Sequence, residues 1–351
     1  MRNVGDAIHI ARVASGMTQK GLADSIGVTQ ATLSRFEHGD RTPTDSDLEK
    51  LAAPLRVTQG FLCTESGNWA PLAIESHMRR RASASPPQWK KAEAQLNLLR
   101  KQLAALVKFV DISPTQYLPA VDPESVGPIA AARLVREQWN IPIGPVHHLS
   151  RWIESSGVTI IQTRLETQRI DALSQRIGEY PIILLNEAAP IDRKRWTLAH
   201  ELGHLVMHAE YASLEAEAEA NAFAAEFLMP EATIRPYLQS LSLSRLFDLK
   251  LEWMVPAQRI LECAYSLGAI SEQTQTRLYK DLQRKGWRVN EPFSEDLPQE
   301  QPELLSRILL SLSQAGLSNE EIAQRTLVAD DHPLSLLNFR KDAGLRLVSS
   351  R

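Results

Sequence analysis

Five consecutive residues near the middle of the chain have the types and the spacing of a metal-binding site. His200 and His204 are four positions apart, so a helix places both imidazoles on one side, close enough to share one cation. Glu201 follows the first histidine and can act as a general base on a water molecule held by that cation. The neighbouring residues are apolar, and burying these polar groups without a charge partner would be costly. The segment therefore predicts a catalytic Zn²⁺ site, with Mn²⁺ as the alternative, in which Glu201 is catalytic.

A third protein ligand is expected, because catalytic zinc usually has three protein ligands. The next helical segment offers Glu215, Glu217 and Glu219. We choose Glu217, since the positions that follow it at helical spacing are small and then apolar and can pack on the first helix. These positions are Ala220, Asn221, Ala224, Phe227 and Leu228. Asn221 is predicted to support a ligating histidine. Glu219, whose face is predicted to be more exposed, is the main rival.

Other groups around this site have more than one interpretation. His208 lies a further turn along the helix, too far round to join the same ion, and is predicted to support a ligand or to pack. Residues 181–185 are either an edge strand, to which substrate adds as a further strand, or an internal strand. An oxyanion donor is also needed. The spacing does not choose among its candidates, which are Tyr180, Arg193, Arg195, Arg235 and Tyr237.

The first 65 residues contain a pattern typical of a helix-turn-helix. Thr18 can cap a first helix, Gly27 permits a tight turn, and Thr29 can cap a second helix that Gly39 ends. Such a second helix enters the major groove of DNA, where Gln, Ala and Arg suit base edges. The residues predicted to contact DNA are Gln19, Thr29, Gln30, Ala31, Ser34 and Arg35. Gln19 can contact phosphate or brace Gln30. The alternative is a small helical domain that binds protein.

Charge and heptad spacing bear on the partners of this region. Residues 1–110 hold 15 Lys+Arg and 10 Asp+Glu, a net +5, whereas the remainder holds 24 and 32, a net −8. The positive part either meets a polyanion or carries ordinary surface charge. In residues 89–110 apolar side chains recur at alternating gaps of three and four, which predicts a helix. That helix either forms a homodimer, as the two-fold symmetry of operators also favours, or docks on its own domain.

Composition excludes several classes of protein. No run of ~18 apolar residues is present, so no membrane span and no membrane partner is expected. The two cysteines, Cys63 and Cys263, lie far apart and make no disulfide framework, and we predict that they are small buried hydrophobes. These features favour a cytoplasmic protein. Helical patterns dominate, with short strand-like runs at 158–161 and 181–185, so the fold class is mainly α with a small β-sheet (α+β).

Two stretches resemble known families. Residues 4–62 resemble the phage-repressor-like (XRE) DNA-binding family. The matching residues are Thr18, Gln19, Leu22, Ala23, Gly27, Val28, Leu33, Ser34, Glu37 and Gly39. Residues 128–235 resemble the ImmA/IrrE-type metallopeptidases. The matching residues are Ala131, Arg136, Pro142, Gly144, Pro145, Ile183, Asn186, the run 195–204, His208, Glu217, Ala220, Asn221, Phe223, Ala224, Leu228, Met229 and Pro230.

These resemblances imply a fold and an activity. They imply a five-helix N-terminal helix-turn-helix domain and a zincin-like peptidase domain with a glutamate as third zinc ligand. They also imply a zinc-dependent endopeptidase whose substrates are often helix-turn-helix repressors. Residues 249–292 are similar to the helical extension of longer family members.

The whole chain is accordingly divided into four segments. We predict a DNA-binding domain at 1–65, a linker and heptad helix at 66–110, a metallopeptidase domain at 111–235 and a helical extension at 236–351. The function predicted is a regulator that binds double-stranded operator DNA and cleaves a repressor or antitoxin-like protein in stress or mobile-element control. One alternative is a regulator whose metal domain senses a metal or ligand without proteolysis. Another is a toxin–antitoxin or phage-defence component that acts through protein contact alone.

Overall fold

The structure confirms the predicted fold class. It is a computed structural model that describes residues 2–63, 85–110, 112–167, 169–176, 180–209, 211 and 213–340. These residues are mostly helical and contain one small three-stranded sheet. Among them, no helix combines the length and the apolar character that crossing a membrane requires.

Backbone contacts divide the described residues into two compact units. Unit 1 consists of the described residues up to 112 together with those from 303 onwards, and unit 2 consists of residues 113–302. The predicted division into four segments remains a prediction. Residues 66–84, which belong to the segment predicted as a linker and heptad helix, lie outside the described residues.

Unit 1 begins with five helices that contain the predicted helix-turn-helix. They are α1 (Arg2–Ala14), α2 (Gln19–Ile26), α3 (Gln30–His38), α4 (Asp45–Leu55) and α5 (Gln59–Cys63). Thr18 and Thr29 cap α2 and α3 by accepting hydrogen bonds from backbone amides. Gly27 and Gly39 end these helices with φ of 72° and 76°, in the left-handed region that glycine adopts without a steric penalty. Thus the caps and the turn predicted from the sequence are confirmed.

Helix α6 (Pro86–Leu106) contains the heptad pattern and is followed by a 3₁₀ turn (Val107–Phe109). It packs on α1, and its Leu96, Leu99 and Leu103 are buried within the chain. The alternative in which this helix docks on its own domain is therefore the one that the structure favours. Cys63, interpreted as a buried hydrophobe, is exposed at the end of α5.

Unit 2 contains the sheet and the two helices that carry the predicted metal ligands. Its first elements are α7 (Pro123–Val126), α8 (Pro128–Gln138), α9 (Leu149–Ser155), β1 (Thr159–Thr163), β2 (Ala172–Gln175), β3 (Ile182–Asn186), α10 (Ile191–Met207) and α11 (Ala216–Leu228). The strand order is β1-β3-β2, with β1 parallel and β2 antiparallel to β3. All five residues of β3 are buried. The interpretation of residues 181–185 as an edge strand is therefore wrong, and β2, which the sequence did not predict, lies at an edge.

The helices after α11 complete the core of unit 2. They are α12 (Glu231–Ile234), a 3₁₀ turn (Arg235–Tyr237), α13 (Leu243–Trp253), α14 (Ala257–Ser266) and α15 (Glu272–Arg284). Buried ion pairs fix the first turn of α10 to this region. Lys250 donates to Asp192 at 2.7 Å and to Glu291 at 2.9 Å, and Arg195 pairs with Glu300. Since buried charges must be paired, these contacts position the helix that bears the histidines.

After unit 2 the chain returns to unit 1 through α16 (Leu304–Gln314), α17 (Asn319–Thr326) and a 3₁₀ turn (Leu336–Phe339). Helix α17 packs on α6. Gln102 of α6 is fully buried, donates to the carbonyl of Leu334 at 2.8 Å and accepts from the amide of Leu336 at 3.1 Å. Described residues from before and after unit 2 thus contribute to the core of unit 1.

Candidate functional site

Three predicted ligands lie together at the contact between α10 and α11. The Nε2 atoms of His200 and His204 are 3.0 Å apart. Carboxylate oxygens of Glu217 lie 3.6 Å from the first and 3.3 Å from the second. Ligand atoms bound tetrahedrally to zinc at 2.0–2.1 Å lie about 3.3 Å from one another. Two imidazole nitrogens and a carboxylate at these separations therefore fit a divalent cation such as Zn²⁺.

A glycine allows the two helices to approach closely enough to form this group. A Cβ atom added at Gly203 would lie 3.1 Å from Cδ1 of Phe223, closer than an ordinary van der Waals contact. Phe223 is fully buried. The helix face that leads from Glu219 was predicted to be more exposed than the face that leads from Glu217, and its Ala222 and Pro230 are only half-buried. Phe223 of this face is nevertheless buried. It packs on α10, because the missing side chain of Gly203 leaves room for the aromatic ring.

The second ring nitrogen of each predicted histidine ligand has a protein partner. Nδ1 of His200 lies 3.2 Å from Oδ1 of Asn221, whose amide nitrogen donates to the carbonyl of Glu217 at 2.7 Å. Nδ1 of His204 lies 2.9 Å from Nδ1 of His208. The rival ligand, Glu219, instead lies 2.8 Å from Nε2 of His208. Glu217 and Glu219 thus take different places, one in the ligand group and the other behind it.

The predicted general base is held by a residue that the sequence reasoning missed. Glu201 is buried, and Oγ of Ser174 donates to its Oε2 at 2.6 Å. Ser174 lies on β2, whose four residues are Ala, Leu, Ser and Gln. None of these is β-branched or aromatic, so the usual strand signal is absent from this segment. Only the pairing of β2 with β3 brings Ser174 to the site.

The arginines considered as oxyanion donors are engaged in ion pairs elsewhere in unit 2. Arg195 is buried against Glu300, and its Nε donates to the carbonyl of Met254. Arg193 lies 2.7 Å from Asp171. Arg235 pairs with Glu231, one turn away along the chain. Tyr237 lies beneath the guanidinium of Arg245, and Tyr180 is half-buried just before β3.

The residues predicted to contact DNA lie on and around α3 in unit 1. Gln30, Ala31 and Arg35 are exposed, and Ser34 is half-buried. The opposite face of α3 is buried through Leu33, Phe36 and Glu37. Thr29 accepts from the amide of Thr32 at 3.1 Å and so begins the helix. The exposed face therefore presents amide, methyl and guanidinium groups of the kinds that contact base edges.

Gln19 bonds to a buried carboxylate rather than to Gln30. Its Nε2 donates to Oε2 of Glu37 at 2.8 Å, and the guanidinium of Arg12 donates to the same oxygen at 2.9 Å. Burial raises the pKa of Glu37, but hydrogen bonds from His9, Arg12 and Gln19 outweigh it and lower the pKa to about 2. The ionised carboxylate thus ties α1, α2 and α3 together.

Two family models match the chain. Residues 8–58 match the model of the helix-turn-helix family, and residues 153–266 match the model of the IrrE N-terminal-like domain, peptidase family M78. The chain joins a helix-turn-helix domain to an IrrE N-terminal-like domain. A search of the curated proteins and a search of the solved structures found no match. The IrrE N-terminal-like match contains the sheet, both ligand helices and the helices through α14, so part of the predicted extension falls within it.

Proposed function

We propose that this chain is a DNA-binding regulator whose IrrE N-terminal-like domain is a zinc-dependent endopeptidase, with manganese as the alternative metal. The observation that carries the proposal is the group formed by His200, His204 and Glu217, with Glu201 held beside it by Ser174. A purely structural metal site has no use for a buried carboxylate at this position. The helix-turn-helix match, together with the exposed face of α3, supports the DNA-binding part.

Each residue of the site has a distinct task in peptide hydrolysis. A divalent cation, when bound, polarises the scissile carbonyl and lowers the pKa of the attacking water. Glu201 accepts a proton from that water at its carboxylate and donates it to the leaving amine. Ser174 donates to Oε2 of Glu201. Among the described residues no donor contacts Oε1, which is the oxygen assigned to the proton transfer.

Partners behind the ligands hold the imidazoles in one orientation. Asn221 does this for His200, and His208, backed by Glu219, does it for His204. Such outer partners fix the tautomer, so that Nε2 of each ring faces the cation. The partner of Nδ1 on each histidine supports coordination of the metal through Nε2.

The edge strand β2 offers a binding surface for an extended peptide. It pairs with β3 on one side, and it carries Ser174 next to the general base. An extended substrate that adds to this edge gains main-chain hydrogen bonds beside the site. We propose that the substrate is a helix-turn-helix repressor or an antitoxin-like protein, cleaved in the cytoplasm as part of stress or mobile-element control.

The reading of DNA is assigned to α3. Gln30, Ala31, Ser34 and Arg35 meet base edges, and Thr29 lies at the helix end that approaches the phosphates. Gln19 acts through Glu37, which it helps to position. Replacing Arg35 by Ala is expected to cost about 1–3 kcal/mol of binding to the preferred sequence and to relax selectivity at one base pair.

The experiment that tests the peptidase compares new protein N-termini in cells that express the wild type or single variants. Glu201→Gln is expected to abolish the new termini while the purified protein keeps its zinc. Glu217→Gln is expected to lose zinc and cleavage together. Glu215→Gln, which changes an exposed carboxylate two positions away, is the matched control and keeps both. Unchanged cleavage by Glu201→Gln would refute the assigned base.

The same strains separate the peptidase from the alternative of a metal-sensing regulator. If the protein is a metal-sensing regulator, a chelator should change its affinity for DNA strongly, and the wild type should produce no new N-termini. The presence of Glu201 and Ser174 together favours cleavage, since sensing requires no general base. If the wild type produces no new N-termini and its DNA binding responds to the chelator, the peptidase proposal is refuted and the metal-sensing alternative is supported.

A further inference from the structure

The last helices of unit 1 repeat the first two at a distance of 300 positions. When residues 308–328 are aligned with residues 8–28, four positions are identical and several others are similar. The identical pairs are Ile8 and Ile308, Gly16 and Gly316, Ala23 and Ala323, and Val28 and Val328. The similar pairs are Met17 and Leu317, Thr18 and Ser318, Gln19 and Asn319, and Leu22 and Ile322.

The backbone repeats along with the sequence. Helix α2 begins at Gln19 and α17 at Asn319, each after a residue whose hydroxyl accepts from the amide three positions on. Both inter-helix turns contain a glycine with positive φ, 70° at Gly16 and 94° at Gly316. Three amide–carbonyl hydrogen bonds close each turn with the same spacing. Ser15, Gly16 and Met17 donate to Ala11, Val13 and Arg12, as Ala315, Gly316 and Leu317 do to Ser311, Ser313 and Leu312.

The ends of the second helices and their burial also correspond. Gly27, with φ 72°, caps the C-terminus of α2, and Leu327, with φ 66°, caps that of α17, although leucine adopts this region rarely. Burial agrees along the second helix, where Leu22 and Ala23, like Ile322 and Ala323, are buried. A leucine in the left-handed conformation at the very position of a glycine argues against coincidence.

The second copy ends at the position where α3, the helix proposed to read DNA and called the reading helix below, begins in the first copy. Thr29 caps α3, whereas the corresponding Ala329 is followed by two aspartates and, at position 333, by a proline. Proline has no backbone N–H and therefore cannot donate the hydrogen bond that continues a helix. The next helical element is only the 3₁₀ turn Leu336–Phe339. Asp330 and Asp331 place negative charge where the first copy presents Gln30 and Ala31. This copy is therefore unsuited to the DNA backbone.

The incomplete copy packs against the complete one. Val328 forms an antiparallel bridge with Val57, which follows α4. The amide of Thr58 donates to the carbonyl of Leu327, and the amide of Ala329 donates to the carbonyl of Arg56, both at 3.0 Å. Val57 is almost completely buried and Val328 completely. The edge of the first domain after α4 is thereby occupied from within the chain.

We infer that residues 308–328 are a second, incomplete helix-turn-helix repeat that occupies the Val57 edge in place of another chain, so that each molecule binds DNA alone with one reading helix. This inference rests on the DNA reading proposed for α3. It makes α16 and α17 an intramolecular partner of the N-terminal helix-turn-helix, although residues 113–302 lie between the two in sequence. The bridge between Val57 and Val328 joins the two copies within one chain.

The contact itself is tested in the full chain without DNA, by hydrogen–deuterium exchange. Val328→Asp is expected to accelerate exchange at the amide of Thr58 by at least about tenfold, with Val328→Ala giving a smaller change in the same direction. Leu310→Asp, on an exposed position of α16, is the matched control and leaves Thr58 protected. Zinc binding by unit 2 serves as the check that the rest of the protein is intact. Unchanged protection of Thr58 in both Val328 variants would overturn the inference.

The stoichiometry is tested by selecting from duplexes that contain 20 random base pairs and then measuring the mass of the complex by sedimentation. We expect one motif without inverted symmetry, bound by one chain. An inverted repeat with centres about 10 base pairs apart, bound by two chains, would overturn the inference while supporting DNA reading. If no sequence is enriched, both the proposed DNA reading and the inference of binding by one chain fail. They fail even if hydrogen–deuterium exchange supports the contact between Val328 and Val57.

Discussion

The close contact between α10 and α11 at Gly203 predicts that a single methyl group disturbs the metal site. In Gly203→Ala the new Cβ would lie 3.1 Å from Cδ1 and 3.2 Å from Cβ and Cγ of Phe223. The ring or the helix that carries it must therefore move by a few tenths of an ångström. Glu217 lies on the same helix as Phe223, so this movement changes its distance from His200 and His204.

Two opposing terms set the size of the effect on stability. Alanine in place of glycine within a helix stabilises it by about 1 kcal/mol, whereas overpacking a closely packed core costs about 1–3 kcal/mol. The net change in the free energy of unfolding is then between about zero and 2 kcal/mol of destabilisation. The metal site is more sensitive, because ligand sets tolerate misplacement of only about 0.5 Å. We expect the affinity for Zn²⁺ to fall about tenfold.

Unfolding in urea, followed by tryptophan fluorescence, measures the first quantity, and competition with a chromophoric chelator measures the second. Five of the seven tryptophans lie within 113–302, so fluorescence reports mainly on unit 2. Phe223→Leu is made alone and with Gly203→Ala, and the double variant should recover part of the lost affinity because the aromatic ring is gone. A Gly203→Ala protein that binds Zn²⁺ as tightly as the wild type would refute the argument that this contact sets the ligand spacing.

Three further predictions concern the support of the metal site and the acid sensitivity of unit 1. Asn221→Ala should weaken Zn²⁺ binding by about 10–100-fold in the same competition assay, because His200 loses its Nδ1 partner. Burial lowers the pKa of His332 to about 4, and its neutral ring accepts from the amide of Leu334. Unit 1 should therefore lose up to about 3 kcal/mol of stability as the pH falls from about 6.5 to 4, a loss that urea titrations of His332→Gln should not show. Glu37→Gln should destabilise unit 1 by about 1–3 kcal/mol at neutral pH and remove the further acid-induced loss between pH 4.5 and about 2, measured by circular dichroism.

Features that depend on residues close together in sequence could be predicted from the sequence. The spacing of His200 and His204 follows from the helical repeat alone, as does the placement of Asn221 one turn after Glu217. The caps at Thr18 and Thr29 likewise depend on hydrogen bonds that span only three residues. These interactions are formed within single elements, so residue type and spacing carry the necessary information.

Features that join distant residues required the tertiary structure. Ser174 reaches Glu201 only because β2 pairs with β3, and nothing in the composition of β2 predicts a strand. Glu217 and Glu219 lie on one helix, and their different partners follow from how closely α11 approaches α10 at Gly203. The sequence carries the resemblance between residues 8–28 and 308–328. Their contact, however, depends on a chain that leaves unit 1 and returns to it, and no local pattern encodes such a long-range closure.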